Sequence, residues 1–181
     1  AVIFSNELVD AFPVRRFEKT HDGWREIAVS FDVKGFAGES LLSPAALPGS
    51  SGFRDDFAIG QRIEVHESYQ KWLTEWLPDW KRGRMLTIDY GAAVDSLYQR
   101  RPRGTLRAYL LQQRLEGPEI YQNIGRQDLT ADVNFTDLMD WSAPWVKESR
   151  LETLAEFLKG NGIEDRELTD PQGAGGAFMV L

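Results

Sequence analysis

The residues best suited to chemistry stand where two apolar runs end. Val2-Ile3-Phe4 leads into Asn6, Glu7 and Asp10, and Met85 to Ile88 leads into Asp89, Tyr90 and Gly91. In open α/β sheets, ligands sit at the carboxyl ends of the strands, so polar side chains just past such runs are binding-site candidates. The same residue types also cap helices and turns, and for any one of them that reading stays open.

Three further stretches carry polar groups at close spacing. "RRPRGTLR", Arg100 to Arg107, reads either as a solvated basic loop or as a loop that closes over a crevice. "GRQDLTADVNFTDL" places Asp128, Asp132 and Asp137 near one another, but it lacks the alternating oxygen ligands and central glycine of a calcium loop. The sequon at Asn134 says nothing without secretion. "GAGG", Gly173 to Gly176, follows "LTDPQ" and precedes a strand, the reverse of a nucleotide-binding loop, and reads as a hairpin turn.

These groups need a frame. Ala1 to Ser5 reads as a strand buried on both faces, as parallel sheets require. Val14 to Lys19 and Trp24 to Val33 flank "HDG" and predict an antiparallel hairpin with one buried face. Lys34 to Gly60, rich in Gly, Ser and Pro, predicts a long surface connection. From Val65 to Leu77 the apolar spacing predicts a helix ended by Pro78, with Trp72, Trp76 and Trp80 as packing residues. "RMLTIDYG" predicts a second buried strand, so strand, helix, strand indicates an α/β fold with a largely parallel sheet. Later, Asn134 with Asp137 predicts a helix cap. Ser149 with Glu152 predicts a capping box before the stripe Leu151, Leu154, Ala155 and Leu158, and "AFMVL" predicts a final strand.

Composition narrows the function classes. With 181 residues the default is one domain, and a net charge of -7 argues against a nucleic-acid-binding protein. There is no cysteine, and His21 and His66 are the two histidines, which excludes thiolate chemistry and leaves little for a histidine metal site. No run is long enough for a membrane span, and no signal peptide is visible.

Taken in order, "IFSNELVDAFPVRRF", "GRMLTIDYG", "RPRGTLRAY" and "GRQDLTADVNFTDL" resemble the MidA family of S-adenosylmethionine-dependent methyltransferases, the group that includes the mitochondrial complex I assembly-factor methyltransferase. The similarity is dense from Phe4 to Leu138 and looser to Leu181. It implies a Rossmann-like class I methyltransferase fold, C-terminal part only, with an inserted β-hairpin and long loop. The glycine-rich cofactor loop would precede Ala1. S-adenosyl-L-methionine is the implied cofactor and no metal is implied.

The resemblance puts Asn6, Glu7 and Asp10 beside the methyl donor and acceptor. It adds Asp89 and Tyr90 to Asn6 and Glu7 on the cofactor side, and Thr105, Arg107, Asp128, Thr130 and Asp132 on the acceptor side. After "GTLRAY" relatives often carry a histidine, whereas this chain has Leu110-Leu111-Gln112-Gln113, which leaves any role of that histidine open. The implied acceptor is a protein arginine, with a respiratory complex I subunit as the implied partner.

A guanidinium with a pKa of about 12.5 to 13.8 is protonated and a poor nucleophile, so carboxylates are what the chemistry needs. Bacterial-type relatives suggest a cytoplasmic protein, a eukaryotic origin a mitochondrial one. Two other readings stay open: another protein or small-molecule acceptor, and a non-catalytic assembly domain. The apolar first strand would leave a sheet edge open to pairing, a homodimer included.

Overall fold

A computed structural model gives the structure of residues 1–99 and 101–181, so Arg100, part of the basic stretch, lies outside the described residues. Along the chain run β1 (Val2–Asn6), β2 (Arg15–Thr20), β3 (Gly23–Phe31), β4 (Ala37–Leu42), β5 (Arg62–Val65), α1 (Glu67–Trp76) and β6 (Arg84–Ala92). There follow α2 (Val94–Leu97), β7 (Arg107–Leu110), β8 (Gln113–Leu115), β9 (Asp128–Thr130), β10 (Val133–Asn134), α3 (Phe135–Ser142), β11 (Glu152–Thr153), α4 (Leu154–Gly160), α5 (Ala174–Ala177) and β12 (Phe178–Val180). The chain divides into two compact units.

The first unit comprises Ala1–Asp10, Tyr69–Leu97 and Asp132–Leu181. Its sheet has the order β1-β6-β12-β11, with β10 also on β6. β1 and β10 run parallel to β6, while β12 and β11 are antiparallel, so the sheet is mixed. Leu154, Leu158 and Val180 form a buried core, against which Leu86, Ile88, Phe157 and Phe178 pack. The tryptophans form a half-buried stack, with Trp72 to Trp76 ring centroids 5.3 Å apart and Trp76 to Trp80 6.2 Å.

Several expectations in this unit change. β1 forms as a strand, but Val2 is 75% and Phe4 62% exposed, because β6 is the one strand paired with it among the described residues. The capping box belongs to Thr153 and Glu156 rather than Ser149 and Glu152, since β11 takes Glu152 before the helix can start. Gly173 to Gly176 is no hairpin turn: α5 is a single helical turn, in which a Cβ on Gly176 would come 2.0 Å from the Pro171 carbonyl oxygen. Asn134 caps α3 as expected, accepting from Thr136 N–H at 3.2 Å.

The second unit comprises Ala11–Ser68 and Tyr98–Ala131. It holds a four-stranded antiparallel sheet, β4-β3-β2-β5, and a three-stranded one, β8-β7-β9. The hairpin around His21-Asp22-Gly23 forms, but the expected buried face of its second arm is buried only at Ile27, since Val29 and Phe31 lie exposed where β3 runs on to pair with β4. The long connection does not stay irregular. Asp32 accepts from the N–H groups of Lys34 and Phe36, and Gly35 takes φ +82°, which folds the chain back as β4. Val65 belongs to β5 rather than to the helix. Phe17, Ile63, Val65 and Tyr98 are buried, and Phe53 meets Phe17 edge-on at 5.0 Å.

Candidate functional site

The carboxyl end of β1 is shaped by a backbone that changes direction within one residue. Glu7 N–H donates to the Ile88 carbonyl at 2.9 Å, extending the β1–β6 ladder, and Glu7 then adopts φ +49°, a left-handed conformation for a residue with a side chain. Such residues persist where the surroundings over-determine them. Here the surroundings are a carboxylate: Asp89 Oδ2 accepts from the N–H groups of Leu8 at 3.2 Å, Val9 at 2.8 Å and Asp10 at 3.3 Å. Asp89 Oδ1 accepts from Tyr90 N–H at 2.9 Å.

The strand end therefore presents Asn6 and Glu7 to solvent, with Asn6 Nδ2 donating to Glu7 Oε1 at 3.1 Å. Asp10 is buried beside them, and Tyr90, half-buried, stacks on Phe178 with ring centroids 4.0 Å apart. Asp132 is buried just before β10, whose Val133 pairs with Gly91. Gly91 has φ +151°, and a Cβ there would stand 2.1 Å from the Val133 carbonyl oxygen, so the close approach of β10 to the end of β6 requires glycine. Asp89 is 0% exposed, and burial together with the charge of Asp10 holds its carboxyl up to about 7.

The other expected site residues gather in the second unit. On β7 and β9, Arg107 pairs with Thr130 and Tyr109 with Asp128, which puts Arg107, Asp128 and Thr130 on one face of that sheet. Arg107 is buried and donates from Nε to Tyr109 Oη at 3.2 Å. Thr105 gives both its N–H, at 2.8 Å, and its hydroxyl, at 2.9 Å, to Glu64 Oε2.

Glu64 is the residue the sequence reading missed. Its side chain is fully buried in β5, with Oε1 3.6 Å from Arg16 Nε. A Cβ on Gly104, at φ +80°, would lie 2.2 Å from that oxygen. Neighbouring backbone ties fix the same turn, from Arg62 N–H to the Pro102 carbonyl at 2.8 Å and from Gln61 Nε2 to the Arg101 carbonyl at 2.9 Å. The "PRGT" turn is thus fastened to β5 rather than free in solvent. A carboxylate between Ile63 and Val65 in a four-residue strand was the signal that could have exposed it.

Among the described residues no group of three or more His, Cys, Asp or Glu side chains could hold a metal ion, and no helix is long and apolar enough to cross a membrane. Residues 1–148 match a protein family described as "Putative S-adenosyl-L-methionine-dependent methyltransferase". The chain belongs to this family. It is 28% identical over 179 residues to the mitochondrial protein arginine methyltransferase NDUFAF7 of Danio rerio, covering 92% of this chain and 38% of that protein. With the Bos taurus protein of the same name it shares 30% over 167 residues, 90% of this chain and 35% of the relative. The methyltransferase-family chain thus spans well under half the length of these curated relatives.

Its fold matches a solved structure from Burkholderia thailandensis with S-adenosyl-homocysteine bound, at a TM-score of 0.85 and 25% identity, covering 99% of this chain and 52% of that one. The fold is accordingly that of a class I methyltransferase in part, carrying the second unit between β1 and β6 and again after α2.

Proposed function

We propose that this chain is the acceptor-side part of an S-adenosyl-L-methionine-dependent methyltransferase that modifies an arginine side chain of a protein. The observation that carries the reading is the exposed Asn6–Glu7 pair, held at 3.1 Å at the end of a parallel strand pair by a left-handed backbone turn. That position suits a ligand between strand ends, and an accessible carboxylate with an amide beside it suits a guanidinium. The arginine acceptor and a mitochondrial site are supported by the names of the relatives, while a complex I subunit as partner rests on the family resemblance of the sequence blocks alone.

When bound, S-adenosyl-L-methionine supplies the electrophilic methyl group. Glu7, steadied by Asn6, would pair with the acceptor guanidinium, drawing its positive charge away from the nitrogen that attacks, and Glu7 or water at this exposed strand end would take the proton that this nitrogen loses on methylation. Asp10 and Asp132 add negative potential near that strand end, and Tyr90 contributes an aromatic wall. In the second unit Asp128 and Thr130 offer polar groups to the acceptor protein, the buried Arg107 supports the same face of their sheet, and Thr105 holds the turn before β7. Rate enhancement then comes from alignment and exclusion of water more than from proton transfer.

The test uses the protein expressed from its full reading frame, titrated with S-adenosyl-L-methionine by calorimetry and assayed with arginine-containing protein acceptors. Cofactor binding should be retained in Glu7→Ala while methyl transfer drops by about 100-fold. Absence of cofactor binding in the unaltered protein would sink the enzyme reading in favour of an assembly domain. Transfer to a lysine or a small molecule alone would retain the enzyme and overturn the acceptor.

A further inference from the structure

We infer that Asp89 is the positioning residue of this site: its buried carboxylate gathers the N–H groups of Leu8, Val9 and Asp10 and so fixes Glu7 in the left-handed turn that presents its side chain. The inference rests on reading Glu7 as the group that meets the acceptor. It departs from the expectation that Asp89 contacts the cofactor, because a side chain with 0% exposure behind the strand end offers no oxygen to a ligand.

Three successive backbone N–H groups converging on one oxygen form a concave anion-binding turn. Most such turns receive an anion from outside, but this one receives the carboxylate of the neighbouring strand. The strand register makes that geometry possible. Asn6 pairs with Ile88, so β1 is followed by its turn at the level where β6 reaches Asp89. The Glu7 N–H to Ile88 carbonyl bond fixes the point at which the chain leaves the ladder.

From that point the φ of Glu7 is set at both ends, by the ladder behind it and by Asp89 ahead of it. A left-handed non-glycine residue is strained on its own, so without the Asp89 clamp the segment would relax and Glu7 would lose its aim. An Asn at position 89 keeps the volume but not the function: it has one acceptor oxygen, and its amide N–H₂ would face either the Tyr90 N–H or the three turn N–H groups as a second donor.

Asp89→Asn and Glu7→Gln, singly and combined, in the full-reading-frame protein, provide the test, read by methyl-transfer kinetics and by amide hydrogen exchange. In Asp89→Asn the amides of Leu8, Val9 and Asp10 should exchange about tenfold faster or more, with those of α4 unchanged. kcat should fall about tenfold while cofactor affinity stays within about twofold, and in the Glu7→Gln background Asp89→Asn should cause almost no further loss. Unchanged exchange at residues 8–10 would overturn the inference, as would losses in kcat that multiply. Should the unaltered protein transfer no methyl group, the exchange data still decide the clamp, whereas the functional reading fails by itself.

Discussion

In the first unit the buried carboxylate of Asp89 is met by four backbone N–H groups, whereas in the second the buried carboxylate of Glu64 is met by a hydroxyl, a backbone N–H and, at 3.6 Å, a guanidinium. Both acids shape a turn. The difference lies in what neutralises them. Backbone dipoles orient a turn without adding counter-charge, so the desolvation cost of Asp89 is only partly offset and its carboxyl is raised to about 7. Glu64 belongs to an ion-pair ladder in which Glu39 bridges Arg16 and Arg62 at 2.7 Å each, and Arg62 also reaches Glu18 at 2.7 Å. The first arrangement leaves a buried carboxyl without a cation partner beneath the exposed Asn6 and Glu7. The second ties β2, β4 and β5 together through paired charges.

The largest expected effect breaks that contrast directly. Glu64→Ala leaves the buried Arg16 guanidinium and the Thr105 donors without this acceptor, and should cost about 3–5 kcal/mol in a denaturant melt. Asp89→Asn strands no cation and should cost less than half as much. Equal losses in the two variants would erase the distinction between dipole-held and charge-held acids.

A pH titration sharpens it further, because the units bury groups of opposite response. Asp89 carries a folded pKa raised from 3.8 to about 7, so between those values the folded chain holds a proton that the unfolded chain releases, and stability from this group rises as pH falls through that window. His66, fully buried, is lowered from 6.5 to about 4, so the unfolded chain binds the proton and stability falls as pH drops from 6.5 to about 4. Each contribution is on the order of 3 kcal/mol, and they oppose one another in the unaltered chain. Urea unfolding at pH 7.5 and pH 5 should show Asp89→Asn losing stability on acidification and His66→Phe gaining it. Parallel slopes in the two variants would contradict the assignment.

The smallest effect concerns the first unit's open edge. Phe4 is 62% exposed on β1, so Phe4→Lys should change folding stability by no more than about 0.5 kcal/mol. It should, however, reduce concentration-dependent self-association of the 181-residue chain, measured by sedimentation. Association unaltered by Phe4→Lys would place the contact elsewhere, for instance on the β3–β4 turn, where Val33 and Phe36 are exposed.

How much of this was legible in the sequence depended on the range of the interaction responsible. β1, β2, β3 and β6, the cap at Asn134 and the polar residues that end β1 followed from local pattern and turn chemistry, whereas Asp89, Tyr90 and Gly91, read as the end of a strand, lie inside β6, which pairing with β12 and β10 carries on to Ala92. β4 was hidden because "AGESLL" sits in a Gly- and Pro-rich stretch, and its strand conformation comes from pairing with β3. β5 was absorbed into the helix after it, since four residues carry too short a period to separate from a helical face. The capping box was misplaced by four residues because Glu152 was claimed by β11, whose partner β12 lies near the end of the chain.

The sequence by itself determined which residues could act: carboxylates and an amide after apolar runs, two histidines, no cysteine, and four ordered blocks shared with a methyltransferase family. Only the tertiary structure decided what each acid does. Asp89 and Glu7 are both carboxylates, one inside β6 and one just past β1, yet parallel pairing of β1 with β6 buries the first beneath the turn and leaves the second exposed on it. Burial and backbone donors are properties of chain segments about 80 residues apart, with Asp89 meeting Val9 at a separation of 80. No local pattern encodes them, because the free energy that fixes them arises when the two strands meet.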